Sequence, residues 1–213
     1  MTNIYGRPEK LARQHKLIEL GERALKKEGW LIENVSGKAP IYHVVKGKKK
    51  RTVSIRTTQD TRVSFQRKAD DSGWTTLDEV DFVVIATVDD KDDPKYGLAY
   101  LVDGGEMRKR FNRNYQARLK AGQKQPADHG MWVPMFEPEN PSLPSSKGGG
   151  IAIGRQPSLE DLLNIPSEAD TPQAMPTATA PQSDASLTIA EAKHGLAQTF
   201  GVAPENVKIV IEA

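Results

Sequence analysis

The sequence contains no cysteine and no long hydrophobic stretch, and each absence excludes a class of protein. Without cysteine there can be no disulfide and no thiolate metal site, and the composition fits a reducing compartment. No apolar run approaches the ~20 residues that a membrane-spanning helix needs. The first residues, MTNIYGRPEK, have no apolar stretch behind their charges and so do not form a secretory signal. We therefore expect a cytoplasmic protein that does not associate with a membrane.

Hydrophobic residues are also scarce, at 37% of the chain with a mean hydropathy of -0.57. The shortage is greatest between Glu137 and Ser186, a segment rich in Pro, Ser, Thr, Ala and Gly. Such a segment buries too little to offset the entropy lost when it becomes ordered. The sequence thus predicts one domain at residues 1–137, a flexible linker at 138–186 and a small C-terminal module at 187–213.

The predicted linker contains one apolar island, at residues 158–164. Ser158 could cap a single helical turn there, in which Leu159, Leu162 and Leu163 share a face. Two interpretations stay open. The island is either a docking motif that folds on a partner or a turn that packs back on its own domain.

The C-terminal module is predicted to be one helix followed by one strand. Thr188 and Glu191 form a capping box ahead of the helix, and VKIVI is the strand. A lone helix and strand bury too little area to be stable unaided. The unit should therefore extend an existing sheet, pair with a second copy or bind a protein partner. Its candidate partner-binding residues are Leu196, Phe200, Ile209 and Ile211.

The first domain is predicted to be α/β, with a central mixed β-sheet flanked by helices. Apolar spacing predicts helices over residues 8–28 and 106–121. The run VDFVVIATV is apolar at nearly every position, as expected of a strand buried on both faces, so a helix should cover each face of the sheet. The predicted strands are Trp30–Val35, Ile41–Lys46, Thr52–Thr57, Arg62–Gln66, Val80–Val88, Tyr96–Val102 and Met131–Met135.

The net charge of +2 is unevenly distributed along the chain. Residues 1–137 hold 26 Lys and Arg against 19 Asp and Glu, a net +7, whereas the remainder holds 4 against 9, a net −5. A basic domain with an acidic tail is typical of proteins that handle polyanions. The alternative is a domain whose surface charges are merely mixed.

The densest cationic cluster is KGKKKR, which lies between two predicted strands. Five cations in six residues at a hairpin tip would contact phosphates without distinguishing bases. The candidate phosphate-binding residues of this hairpin are Lys46, Lys48, Lys49, Lys50 and Arg51.

The second predicted helix adds further cations as candidates: Arg108, Arg110 and Arg113. Phe111 and Tyr115 are interleaved with them, as at a nucleic-acid surface that combines charge with stacking. The alternative is that the aromatic residues are core and that the cations only keep the helix exposed to solvent.

Motifs for other chemistries are missing. There is no common phosphate-binding loop, dinucleotide fingerprint or nucleophile elbow. The four histidines are scattered without paired ligand spacing, which argues against a zinc site. The acidic run at residues 89–93 could hold a hard cation, but an acidic loop beside Pro94 is more typical of a solvated turn. We expect no bound metal and no cofactor.

The order of elements over residues 17–88 resembles the restriction-endonuclease-like, or PD-(D/E)XK, nuclease superfamily. The segments that carry the resemblance are GERALKKEGW, KAPIYHVV, RTVSIRTTQ and EVDFVVIATVDD. In that family an aspartate on one strand and an acid-x-lysine on the next hold magnesium and activate water. The resemblance implies that these three positions are His43, Ser54 and Arg56, with Glu22 as an accessory acid.

None of those three positions holds the residue that the family uses. A histidine, a hydroxyl and a guanidinium do not form a cage for a hard cation, and Arg56 stays protonated. The resemblance therefore implies a nuclease-like fold that has lost its catalytic centre. Arg56 and the basic hairpin would still hold a phosphate backbone, with steep salt dependence and little sequence preference.

Three functional hypotheses follow from the sequence. The first is a non-catalytic nucleic-acid-binding protein, with DNA the expected ligand and a tethered interaction module. The second is a protein-interaction adaptor without nucleic-acid binding. The third is an active metal-dependent nuclease with relocated ligands, such as Glu22 with Asp60 or Asp81.

Overall fold

The computed structural model describes residues 8–37, 41–124 and 129–163. The chain divides into two units, residues 1–171 and 172–213, and every described residue belongs to the first. The predicted C-terminal module, with its candidate partner-binding residues, lies outside the described residues. So does the part of the predicted linker from residue 164 onwards.

Each helix and strand predicted within residues 8–137 is confirmed, with ends shifted by at most three residues. No helix in the described part of the chain is long and apolar enough to cross a membrane. The helices are α1 (Pro8–Lys27) and α2 (Gly104–Lys120). The strands are β1 (Leu31–Ser36), β2 (Ile41–Lys46), β3 (Lys49–Thr57), β4 (Arg62–Gln66), β5 (Phe82–Val88), β6 (Tyr96–Asp103), β7 (Gly130–Pro134) and β8 (Leu159–Leu162).

Six of the strands form one mixed sheet, as the sequence predicted. Their order is β1-β2-β3-β5-β6-β8, and β4 pairs with β7 in a separate two-stranded sheet. Neighbours in the large sheet are antiparallel except β3 and β5, which are parallel. Strand β5 is buried from Val83 to Val88, in agreement with its nearly continuous apolar sequence.

A helix covers each face of the sheet. Helix α1 packs its apolar stripe, including Leu17 and Leu20, on a face that contains Val84 of β5. Helix α2 and the small sheet cover the opposite face, where Val83 and Ile85 lie. Successive residues of a strand point to opposite faces, so β5 supplies both halves of the core.

The prediction of a flexible linker is wrong for residues 138–163. Residues 159–162 form β8, antiparallel to β6, and do not form the predicted helical turn. Leu159 and Leu163 pack against the core on the α1 face, and Ile151 is buried in the core on the α2 face. A strand forms because β6 offers an edge to pair with, whereas one helical turn has an unfavourable nucleus. The alternative in which this island packs on its own domain is confirmed, although as a strand.

Among the strands that the structure describes, β1 and β8 are the two edges of the large sheet. Pairing between β1 and β2 shifts its register between Ile32 and Asn34, which is a β-bulge. Leu31 and Val35 of this edge strand are 67% and 50% exposed. The first edge of the sheet therefore combines apolar side chains with an irregular backbone.

Candidate functional site

The basic hairpin predicted from KGKKKR is present. Strands β2 and β3 pair antiparallel up to Lys46 and Lys49, so the chain reverses at Gly47 and Lys48. The side chains of Lys48 and Lys49 are exposed, and neither makes a hydrogen bond or ion pair with the described residues. Two adjacent cations at this turn are thus available to a ligand.

The other cations of the hairpin are held to different degrees. Lys46 Nζ donates a hydrogen bond to the Glu28 carbonyl oxygen at 2.6 Å. Lys50 Nζ lies 3.6 Å from Glu33 Oε2, with its side chain 77% exposed. Exposed ion pairs of this kind contribute only about 0–1 kcal/mol, so Lys50 can exchange its partner for a phosphate. Arg51 Nε lies 3.9 Å from Asp81 Oδ1, at the limit of an ion pair.

The three positions implied by the nuclease resemblance share one face of the sheet. Their neighbours Tyr42, Val53 and Ile55 face α1, so His43, Ser54 and Arg56 point to the opposite side. They do not meet in one pocket. His43 and Arg56 line two separate cavities, and Ser54 is only 2% exposed. His43 Nε2 instead lies 3.1 Å from the Ser36 hydroxyl oxygen.

Glu22, the predicted accessory acid, lies on α1 and contacts the other face of the sheet. Its carboxylate accepts a hydrogen bond from Tyr42. The pKa of Tyr42 is raised, mainly by burial and further by this carboxylate. Glu22 is thus separated by the sheet from the positions with which the resemblance grouped it.

The acids proposed as relocated ligands have structural contacts. Asp81 directly precedes β5, and its Oδ2 accepts a hydrogen bond from the Thr52 backbone N–H at 2.8 Å. Asp60 Oδ1 accepts one from the Thr58 hydroxyl at 2.7 Å. Within residues 8–37, 41–124 and 129–163, no group of three or more potential metal-ligating side chains has the geometry to hold an ion.

The cations predicted on α2 are engaged within the domain. Arg108 Nη1 donates to the carbonyl oxygens of Leu77 and Val80 at 2.8 and 3.0 Å. Arg110 binds Glu106 and two backbone carbonyls of the loop at residues 148–149, and Arg113 pairs with Glu139. Arg108 and Arg110 are therefore not available to a ligand, whereas Arg113, whose side chain is 57% exposed, is held only by an ion pair of the kind that Lys50 makes.

The aromatic residues interleaved with those cations belong to the core. Phe111 is fully buried and Tyr115 nearly so, both within the cluster on the α2 face. This confirms the alternative in which the aromatic side chains of α2 pack inside the domain, and it removes them as stacking surfaces for bases.

Replacement of Arg108 by Met is expected to destabilise the domain by about 2 kcal/mol. The reason is that two partly buried carbonyl groups lose their charged donor while the aliphatic stem is kept. Urea unfolding measures the effect. Lys109→Met, at the exposed neighbouring position, is the matched control and should change stability by less than about 0.5 kcal/mol. Equal stability of both variants, with weaker nucleic-acid binding by Arg108→Met alone, would return Arg108 to the interface.

Arg56 lines a cavity of about 180 Å³ that the sequence did not predict. Its guanidinium carbon lies 4.3 Å from the centroid of the Phe65 ring, and its buried Nε has no hydrogen-bond partner among the described residues. Burial lowers the pKa of Arg56 to about 10, so the side chain stays cationic at neutral pH. The same cavity is lined by Ser64, Thr75, Thr76 and Trp132.

No spacing in the sequence indicates this cavity. Ser64 and Trp132 are directly opposite each other on β4 and β7, although 68 positions separate them in the chain. The two threonines lie in the loop that enters a single 3-10 turn at Leu77–Glu79. Only the tertiary pairing of β4 with β7 brings these groups to Arg56.

No protein-family model, curated protein or solved structure matches this chain. The resemblance to the nuclease superfamily therefore depends on the sequence segments and the order of elements alone.

Proposed function

We propose that the described domain is a non-catalytic nucleic-acid-binding module, with DNA its expected ligand, that contacts the phosphate backbone through the β2–β3 hairpin. The observation that carries the proposal is the pair Lys48 and Lys49. They are adjacent at the turn, exposed, and without an ion pair in the part of the chain that the structure describes. Lys50 follows them and is held only by an exposed contact with Glu33.

A turn of this kind suits phosphate contact and not base recognition. Lysine ammonium groups neutralise phosphates as point charges and release condensed counterions, which gives affinity that falls with salt. Contacts to phosphate fix position on a nucleic acid and carry no direct sequence information. The hairpin should therefore bind with little sequence preference.

The fold that we propose for this module is restriction-endonuclease-like, with a degenerate centre. The order of α1, the antiparallel strands β1 to β3 and the buried parallel β5 supports this ancestry. The residues His43, Ser54 and Arg56 support the loss of catalysis, because none of them supplies a carboxylate for a hard cation.

Substitution of two lysines tests the proposal. Fluorescence anisotropy of a labelled DNA duplex, measured from 50 to 200 mM salt, gives the slope of log affinity against log salt. Each lost phosphate contact lowers the magnitude of that slope by about 0.9, so Lys48→Gln with Lys49→Gln should lower it by about 1.8. Affinity near 0.1 M salt should fall by about 10- to 100-fold.

The matched control is Lys91→Gln with Lys95→Gln, which removes the same charge. These exposed lysines lie in the β5–β6 turn, at the opposite end of the sheet from the hairpin. The control should keep the wild-type slope. Absence of binding at low salt, or an equal loss in both double variants, contradicts the proposal.

The adaptor hypothesis, with its protein partner or self-association, depends on residues 187–213. Because that module lies outside the described residues, it stays a prediction from the sequence.

A further inference from the structure

We propose that the pocket beside Arg56 binds the terminal phosphate group of a nucleotide and that the base of this nucleotide stacks on Trp132. The ligand is a phosphate monoester of a nucleoside, presented either as the 5′ end of a nucleic-acid strand or as a free nucleotide. The pocket lies apart from the hairpin, because six residues of β3 lie between Lys49 and Arg56, which places the two roughly 23 Å apart along the extended strand. It therefore goes beyond the backbone contacts proposed for the hairpin.

The charge of the pocket favours an anion. Arg56 is the only charged side chain among the described residues that line it, and none of them is acidic. Its guanidinium stacks on Phe65 but forms no ion pair within those ranges of the chain. A largely buried cation without a counter-ion is unfavourable, and stacking on one ring offsets only part of the desolvation. An anionic ligand would supply the missing partner.

The hydroxyl groups that line the pocket also lack hydrogen-bond partners among the described residues. Ser64, Thr75 and Thr76 make no side-chain hydrogen bond with any described residue. Elsewhere in the domain, comparable hydroxyls are used: Thr52 donates to the Glu79 carbonyl and Ser146 to the Asn140 carbonyl. Three hydroxyls and a guanidinium that have no side-chain hydrogen-bond partner in the described part of the chain form a set of donors suited to several oxygens of one anion.

The backbone at Thr76 is strained. This residue has a φ of +69°, which a β-branched side chain rarely adopts, and it lies almost fully buried at the pocket wall. Strain of this kind costs about 1–3 kcal/mol and is concentrated at ligand-binding sites. The loop before the 3-10 turn thus keeps an unfavourable conformation that points to a ligand.

The volume of the pocket fits a single phosphate group and not a complete small-molecule ligand. Its volume of about 180 Å³ is smaller than the ~300 Å³ at which pockets for complete small ligands begin. A phosphate monoester, with three free oxygens, uses more of the donors than an internal diester, which has two. Trp132 is 36% exposed, so its ring is accessible to the base next to that phosphate.

The test uses the full-length protein with defined probes. Quenching of tryptophan fluorescence is followed on addition of AMP, adenosine or inorganic phosphate, and Trp132→Phe assigns the signal. In parallel, a single-stranded oligonucleotide with a 5′-phosphate is compared with the same strand ending in a 5′-hydroxyl. We expect AMP to bind at least tenfold more tightly than adenosine, or the 5′-phosphorylated strand to bind about tenfold more tightly than its partner.

Arg56→Gln should abolish the advantage that the phosphate gives, a loss of about 10- to 100-fold. Arg62→Gln removes one cation from the exposed side of β4 and should change binding less than twofold. Thr75→Val keeps the volume of the side chain and should weaken phosphate binding severalfold, which preserves the test if Arg56→Gln does not fold.

The outcomes separate the two sources of the ligand. Preference for AMP alone assigns the pocket to a free nucleotide, and preference for the 5′-phosphorylated strand assigns it to a strand end. Equal binding of AMP and adenosine, together with equal binding of both strands, overturns the proposal. The salt-dependent duplex binding lost in Lys48→Gln with Lys49→Gln is measured separately, so failure at the pocket leaves the hairpin result intact.

Discussion

A chain that ends at Glu137 is expected to lose cooperative folding, whereas a chain that ends at Leu163 is expected to keep it. The shorter chain lacks β8 and the fully buried Ile151, and it leaves the edge of β6 unpaired. Loss of one buried isoleucine side chain alone costs about 2–5 kcal/mol. Together with the lost strand pairing, this approaches the total stability of about 5–15 kcal/mol of an ordinary domain.

Circular dichroism during urea unfolding measures the difference between the two truncations. The chain ending at Leu163 is the control, because it removes only residues outside the described ranges. A sharp transition at the same urea concentration in both chains would restore residue 137 as the domain boundary and assign the following segment to the linker.

Phe111→Ala is expected to destabilise the domain by about 3–5 kcal/mol. The Phe111 ring is fully buried and packs edge-on against Phe65 and Trp74, with centroid separations of 5.2 and 5.3 Å. Removing it leaves a cavity in the core that joins α2 to the small sheet. Chemical unfolding of the purified variant gives the free energy directly.

Leu119→Ala is the matched control on the same helix. Leu119 lies near the end of α2 and is 43% exposed. Its replacement should change stability by less than about 0.5 kcal/mol. If instead Phe111→Ala stays stable and binds nucleic acid less well, the ring is a stacking surface and not core.

The elements that the sequence predicted correctly are those whose signals are local. The continuous apolar run of β5 identifies a doubly buried strand without knowledge of its neighbours. The hairpin at Gly47 is likewise contained within about ten residues of alternating pattern. Because the strand is apolar on both faces, each face of the sheet must pack against another element, and the two helices predicted from apolar spacing were placed there.

The segment after Glu137 was mispredicted because its composition indicates flexibility. Its glycine run instead lets the backbone of this segment approach α2 closely. Gly148 has a φ of +79°, and a Cβ there would overlap the Arg110 carbonyl oxygen. The partner of β8 is β6, about 60 positions earlier in the chain. No local pattern can show that a short, mixed sequence such as LEDL will find an open edge so far away.

The candidate site was likewise predicted only where its residues are close together in the sequence. The exposed lysines of the hairpin follow from a cluster that is contiguous in sequence. The role of Arg108 depends on carbonyl groups about 30 positions away, which no helical pattern indicates. Arg56 was singled out through the nuclease resemblance, whereas the hydroxyls and the tryptophan around it are assembled only by the pairing of β4 with β7.

The bulge in β1 has a consequence for self-association. An exposed edge strand with apolar side chains is an obvious template for a strand from a second molecule. Here the register shift between Ile32 and Asn34 spaces the outward N–H and C=O groups of β1 unevenly. A regular incoming strand therefore cannot form hydrogen bonds with all of these groups at once. One extra residue thus protects this edge from ribbon-like polymerisation of the protein.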